Sequence, residues 1–155
     1  MHLRELDRGE IVAIVGGVLL GVSLFLGWFT LGNAYAYVRS CGPHDAGASC
    51  SGWTALGPAG ILLAAIALVP LILAWVVIRG SRLSWPRGEL TAVIALLALT
   101  LIVFYGIIDR PGFPSGEVNL ALGWFVALLG GVLIFLGAIT RSQESAHRRK
   151  PPGIL

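Results

Sequence analysis

Four long apolar stretches, parted by short breaks rich in polar residues, glycine and proline, set the pattern of the chain. They cover about residues 11–31, 57–78, 90–108 and 118–140, and none contains Asp, Glu, Lys, Arg or His. A helix that crosses the hydrocarbon of a bilayer needs roughly 20 apolar residues, because each residue rises about 1.5 Å. The pattern therefore predicts an all-α fold: an antiparallel, up-down-up-down bundle of four transmembrane helices over 11–140. Residues 1–10 form a cytoplasmic N-terminus and 141–155 a cytoplasmic basic tail. The first stretch reads as a retained span. It follows Arg4, Glu5, Asp7 and Arg8, exceeds the usual apolar core of a signal peptide, and leads to no clean small-x-small cleavage site.

End charges agree with these boundaries. Glu10, Glu89 and Glu117 stand at the starts of spans one, three and four, and Arg79, Arg110 and Arg141 just after spans two, three and four. Acid at a helix N-terminus and base at its C-terminus are each stabilising. Orientation follows from the short flanks. Arg4, Arg8, Arg79, Arg82, Arg87, Arg141, Arg148, Arg149 and Lys150 fall on one side, and only Arg39 and Arg110 on the other. Both termini are expected in the cytoplasm of a cell whose plasma membrane holds the protein. Trp28, Trp53, Tyr105 and Trp124 fall near the outer interface, and Trp75 and Trp85 near the inner one, where amphipathic rings act as anchors.

Composition bounds the class. Of 155 residues, 56% are hydrophobic and 12% charged, against about 25% charged in a soluble domain. So few charges do not cover a water-facing surface, and the bilayer becomes the first partner. The net charge of +3 does not point to nucleic acid, because the basic residues lie in loops and tails rather than in a stripe with interleaved aromatics. Arg far outnumbers Lys, and Ala, Gly and Leu abound, as in proteins of GC-rich bacterial genomes.

The longest loop, 32–56, holds the only cysteines, Cys41 and Cys50, with the turn formers Gly42, Pro43, Asp45 and Gly47 between them. On the outer side oxidation is possible, and a disulfide tying this loop is the expected arrangement. Redox work and metal binding are the alternatives. Quinone-linked disulfide-forming enzymes carry a Cys-x-x-Cys pair and a second exchanging pair, and this chain has neither. A metal would find Cys41, His44 and Cys50, with Asp45 a poor fourth ligand.

Small residues four apart let helix backbones approach in lipid. Span one offers Ala13, Gly17 and Gly21; span four offers Gly123, Ala127 and Gly131, with Gly130 and Gly137 alongside. Depth counting puts Gly21 level with Gly131, so spans one and four are expected to touch there. The same seams suit self-association or a partner helix. Pro70 in span two lacks a backbone donor and crowds the Ile66 carbonyl, so a kink is expected.

Chemistry is sparse. Ion and proton pathways use ionisable groups facing the bundle interior, and the polar side chains of the spans are only Ser23, Thr30, Thr91, Thr100, Tyr105, Asn119 and Thr140, whose hydroxyls usually bond their own helix backbone. His2, His44 and His147 lie in tails and loop. Asp109, Arg110 and Glu117 read as a capped turn with a surface ion pair rather than as an outer site. Neither an enzyme nor a cofactor is expected. The Arg148, Arg149, Lys150 run suits anionic lipid, at about 1 kcal/mol per charge near the surface; a docking peptide for a protein is the alternative. The expected role is that of an accessory, scaffolding or interaction subunit. An oligomeric transporter or channel component, and an envelope thiol–disulfide protein using Cys41 and Cys50, are the alternatives.

Two resemblances bear on the layout. Gly-Trp-Phe at 27–29, Ser-Gly-Trp at 51–53 and Ile-Asp-Arg-Pro-Gly at 108–112 resemble a loose group of small four-span actinobacterial proteins, a likeness that implies no activity. Four spans with a Cys-x8-Cys pair in the first outer loop also resemble the claudin-type layout. Here, however, Trp53 follows the second cysteine, and the loop is shorter than the claudin extracellular sheet requires. No function is carried over from it.

Overall fold

The computed structural model describes residues 8–32, 36–38, 41–43, 48–79, 87–113 and 115–148. Trp85, Arg149, Lys150, His2, His44 and Asp45, and the side chains of His147 and Arg148, lie outside this description.

The first apolar stretch is helical only over α1, Arg8–Ser23. Its last turn tightens as the amides of Leu24, Phe25 and Leu26 bond the carbonyls of Gly21, Val22 and Ser23, three residues back. The Ser23 hydroxyl donates to the Leu20 carbonyl at 2.6 Å. Such bonds satisfy carbonyls that a helix end leaves open. The chain then extends into β1, Gly27–Leu31, where Trp28, Phe29 and Thr30 suit a pleated, half-buried surface. Hydropathy alone runs through this change of backbone, so the single span expected over 11–31 is corrected to a helix followed by a strand.

The described residues between α1 and the next helix include short strands. After β1 come β2 (Tyr37–Val38), β3 (Gly42–Pro43) and β4 (Ser49–Ser51). A further strand, β5 (Val118–Leu120), precedes the last helix. The antiparallel order is β4-β1-β5, with Phe29 facing Cys50 on one side and Leu120 on the other; β2 and β3 form a separate pair. The fold is thus mostly helical but not all-α. Strands β1 and β5 come from the ends of apolar stretches, so the sheet does not depend on the 32–56 segment alone.

The short α2, Gly52–Leu56, is capped by the Ser51 hydroxyl, which accepts from the Thr54 amide. Gly57 takes φ 51°, the left-handed turn that frees α3, Pro58–Ile78, to start afresh on a proline. The α3 helix continues through Pro70. Next, α4 spans Arg87–Val103 and ends in a π-helical turn over Phe104–Ile108, and α5 spans Leu122–Arg148. The last apolar stretch therefore starts as strand and its helix begins at Leu122, four residues later than expected. Among the described residues, three segments are long and apolar enough to cross a membrane: Pro58–Val76, Gly88–Ile108 and Leu122–Gln143. The α1 helix, at 16 residues, is about 24 Å long. It packs against α5 and α3, and α4 packs against α5.

Candidate functional site

Backbone contact between α1 and α5 defines the most closely fitted surface. A Cβ at Gly16 would stand 2.7 Å from the Gly130 carbonyl oxygen, and one at Gly130 would stand 2.7 Å from the Leu20 amide nitrogen. A turn or two further in, a Cβ at Gly137 would meet the Ala13 amide nitrogen at 2.7 Å, and one at Gly9 would meet Thr140. At the other end a Cβ at Gly123 would stand 2.7 Å from the Gly27 carbonyl oxygen. Five glycines thus let two backbones touch along their length, which is what small-residue seams do where hydrophobic burial supplies no driving force.

The seam differs in register from the one expected. Ala13, Ala127, Gly123 and Gly130 are buried in or beside it. Gly21 and Gly131 do not meet. Gly21 turns toward α3, with Ala67 Cβ 3.8 Å from its would-be Cβ, and Gly131 turns toward Leu99 on α4. Gly17 also faces α3, where the Pro70 ring and the Ala67 carbonyl occupy the space of a side chain. Equal depth does not make Gly21 and Gly131 face each other: residues 16 and 17 point about 100° apart on a helix, and they serve two neighbours. Gly9 and Gly16 were missed; each lies one helical turn from Ala13, at spacings of four and three, a signal the sequence holds.

The seam ends in an ion pair. Arg141 Nη2 lies 2.5 Å from Glu10 Oε1, and both side chains are largely buried, at 12% and 4% exposed. Two charges read as helix-end complements also bind each other across α1 and α5.

Two tryptophans expected at the interface are core residues. Trp28 is fully buried, and its indole donates to the Ser23 carbonyl at 2.8 Å. A Cβ at Gly52 or Gly123 would strike its ring at 2.5 or 2.6 Å. Trp124 donates to the Ile102 carbonyl at 2.9 Å, and Gly106, in the π turn, makes room for its indole. Buried indoles need such acceptors. Trp53 and Trp75 are exposed. Trp53 stacks on Phe25 with centroids 6.2 Å apart, and the Arg79 guanidinium lies 3.9 Å from the Trp75 ring centre.

Cys41 and Cys50 are joined, with Cα atoms 6.2 Å apart. The Thr54 hydroxyl lies 3.4 Å from each sulfur and donates to the Ser51 carbonyl. Arg110 donates to the carbonyls of Gly106 and Val118, at 2.8 and 3.1 Å, so it ties the end of α4 to β5. The hydroxyls of Thr100 and Thr140 bond carbonyls of their own helices. Comparison with family models, with curated proteins and with solved structures finds no match to this chain.

Proposed function

We propose that the protein is a non-enzymatic integral membrane protein, an accessory or scaffolding subunit with four crossings and both termini in the cytoplasm. The observation that carries the reading is the α1–α5 seam. Contacts from Gly9–Thr140 through Gly16–Gly130 to Gly27–Gly123 run in opposite chain directions along the whole of α1. A helix lying backbone to backbone with a membrane-length helix passes through the same slab, and this supports α1 as the fourth crossing despite its length. The apolar stretches carry no charge, and the charges beside them are engaged structurally: Glu10 with Arg141, Arg110 with backbone carbonyls. A translocation path would call for ionisable groups free to face an interior cavity.

The sheet at one end, tied by Cys41–Cys50, is the surface such a subunit presents outside. The nine-to-two division of Arg and Lys between the two flanks supports the orientation. The test is the particle extracted from native membranes in mild detergent. A complex with a defined membrane partner, or with further copies, is expected. A lone monomer overturns the subunit role, and tags at the two ends reporting opposite compartments overturn the topology.

A further inference from the structure

We propose that the lipid-facing belt of this protein fits a bilayer whose hydrocarbon core is thinner than usual, so that short-chain phospholipid is its preferred solvent. The inference rests on the membrane reading above and concerns one surface, the apolar belt.

Two polar levels bound the belt. On the outer side, β4 and β5 are the edges of the sheet among the described residues, and Ser49 and Asn119 on them are exposed. Open sheet edges exposed to lipid are not tolerated in hydrocarbon, because their backbone groups find no partner there. The hydrocarbon therefore ends near Gly27, which is level with Gly123 through their contact. On the inner side stand the Glu10–Arg141 pair and exposed Gln143. From Gly123 to Gly137, level with Gly9, α5 climbs about 21 Å, and to Arg141 about 27 Å. Tilt shortens both heights.

The exposed apolar side chains agree. On α1 the stripe is Ile11, Val15, Val18 and Val22, ending at Phe25, which stacks on Trp53; it is about 21 Å high. On α5 it runs from Leu122 to Leu136, again about 21 Å. On α3 and α4 it runs from Ile61 to Ile78 and from Leu90 to Ile108, about 26 and 27 Å. A typical core is about 30 Å thick, and each ångström of mismatch carries a cost.

The experiment is reconstitution of the full chain into phosphatidylcholine vesicles with monounsaturated chains of about 14 to 22 carbons, with thermal unfolding read in each. The highest midpoint is expected in the two shortest lipids, with a steady fall as the chains lengthen. Gln143→Leu lies on the exposed stripe of α5 and extends it inward, so its optimum is expected to move to longer chains. A maximum at 18 carbons or beyond, or a midpoint indifferent to chain length, overturns the inference while leaving membrane insertion intact. Failure to insert at every chain length overturns the membrane reading itself.

Discussion

Arg141 donates to Glu10 at 2.5 Å although 131 positions separate them in the chain. Glu10 lies in the first turn of α1, where its charge complements the helix dipole, whereas Arg141 lies seven residues before the end of α5, and their pairing closes one end of the α1–α5 seam. Removing one partner of a largely buried pair leaves the other uncompensated, at a cost of about 3–5 kcal/mol. Arg141→Ala should therefore lower the unfolding midpoint in detergent sharply. Replacing both residues with leucine should cost less than the single change. Equal losses in single and double variants would mean that the two charges act separately.

Gly16 and Gly21 lie on the same short helix, and alanine should affect them in opposite directions. At Gly16 the new Cβ meets the Gly130 carbonyl and the Ile134 amide at 2.7 Å, backbone atoms that move only with their helix. Overpacking of this kind costs about 1–3 kcal/mol. At Gly21 the nearest atom is 3.8 Å away, and alanine gains about 1 kcal/mol of helix propensity over glycine. Gly16→Ala should lower the thermal midpoint and Gly21→Ala should hold or raise it. A destabilising Gly21→Ala would restore the register first inferred from the sequence.

The contrast marks what the sequence carries. The apolar stretches, the glycine-rich facing of spans one and four and the Cys41–Cys50 link are legible, because each depends on residue type at short range. The end of α1 at Ser23 is not. Residues 24–31 are as apolar as the helix before them, and only pairing with Ser49–Ser51 and Val118–Leu120 makes Gly27–Leu31 a strand. Nor is the burial of Trp28, since its place depends on Gly52 and Gly123, glycines distant in sequence that leave room for its ring. Long-range pairing and absent side chains leave little periodic signal.

Trp124 and Gly106 form a matched pair. The π turn brings a bare glycine under the indole, whose nitrogen reaches the Ile102 carbonyl at 2.9 Å. Trp124→Phe should cost about 0.5–1.5 kcal/mol through the lost indole hydrogen bond to the Ile102 carbonyl. Gly106→Ala should cost as much or more through overlap with the ring. Because the smaller ring relieves that overlap, the double variant should lose less than the sum of the two. A double-mutant cycle in detergent reads this coupling, and strict additivity would mean that Gly106 has some other role.

Cys50 sits on an edge strand opposite Phe29, and its bond to Cys41, nine positions away in sequence, closes a small loop beside the sheet. Such a link limits the unfolded chain and contributes about 2–3 kcal/mol. Cys41→Ser with Cys50→Ser should lower the unfolding midpoint while leaving membrane insertion intact, since the apolar helices do not depend on it. Cys50 is buried on β4 while Cys41 is only partly buried, so an incoming thiol meets Cys41 first. The folded protein should keep the bond in mild reductant and lose it only on unfolding. Thiol labelling with and without reductant reads this directly. Ready reduction in the folded state would move the protein toward thiol–disulfide exchange, with Cys41 as the attacked sulfur.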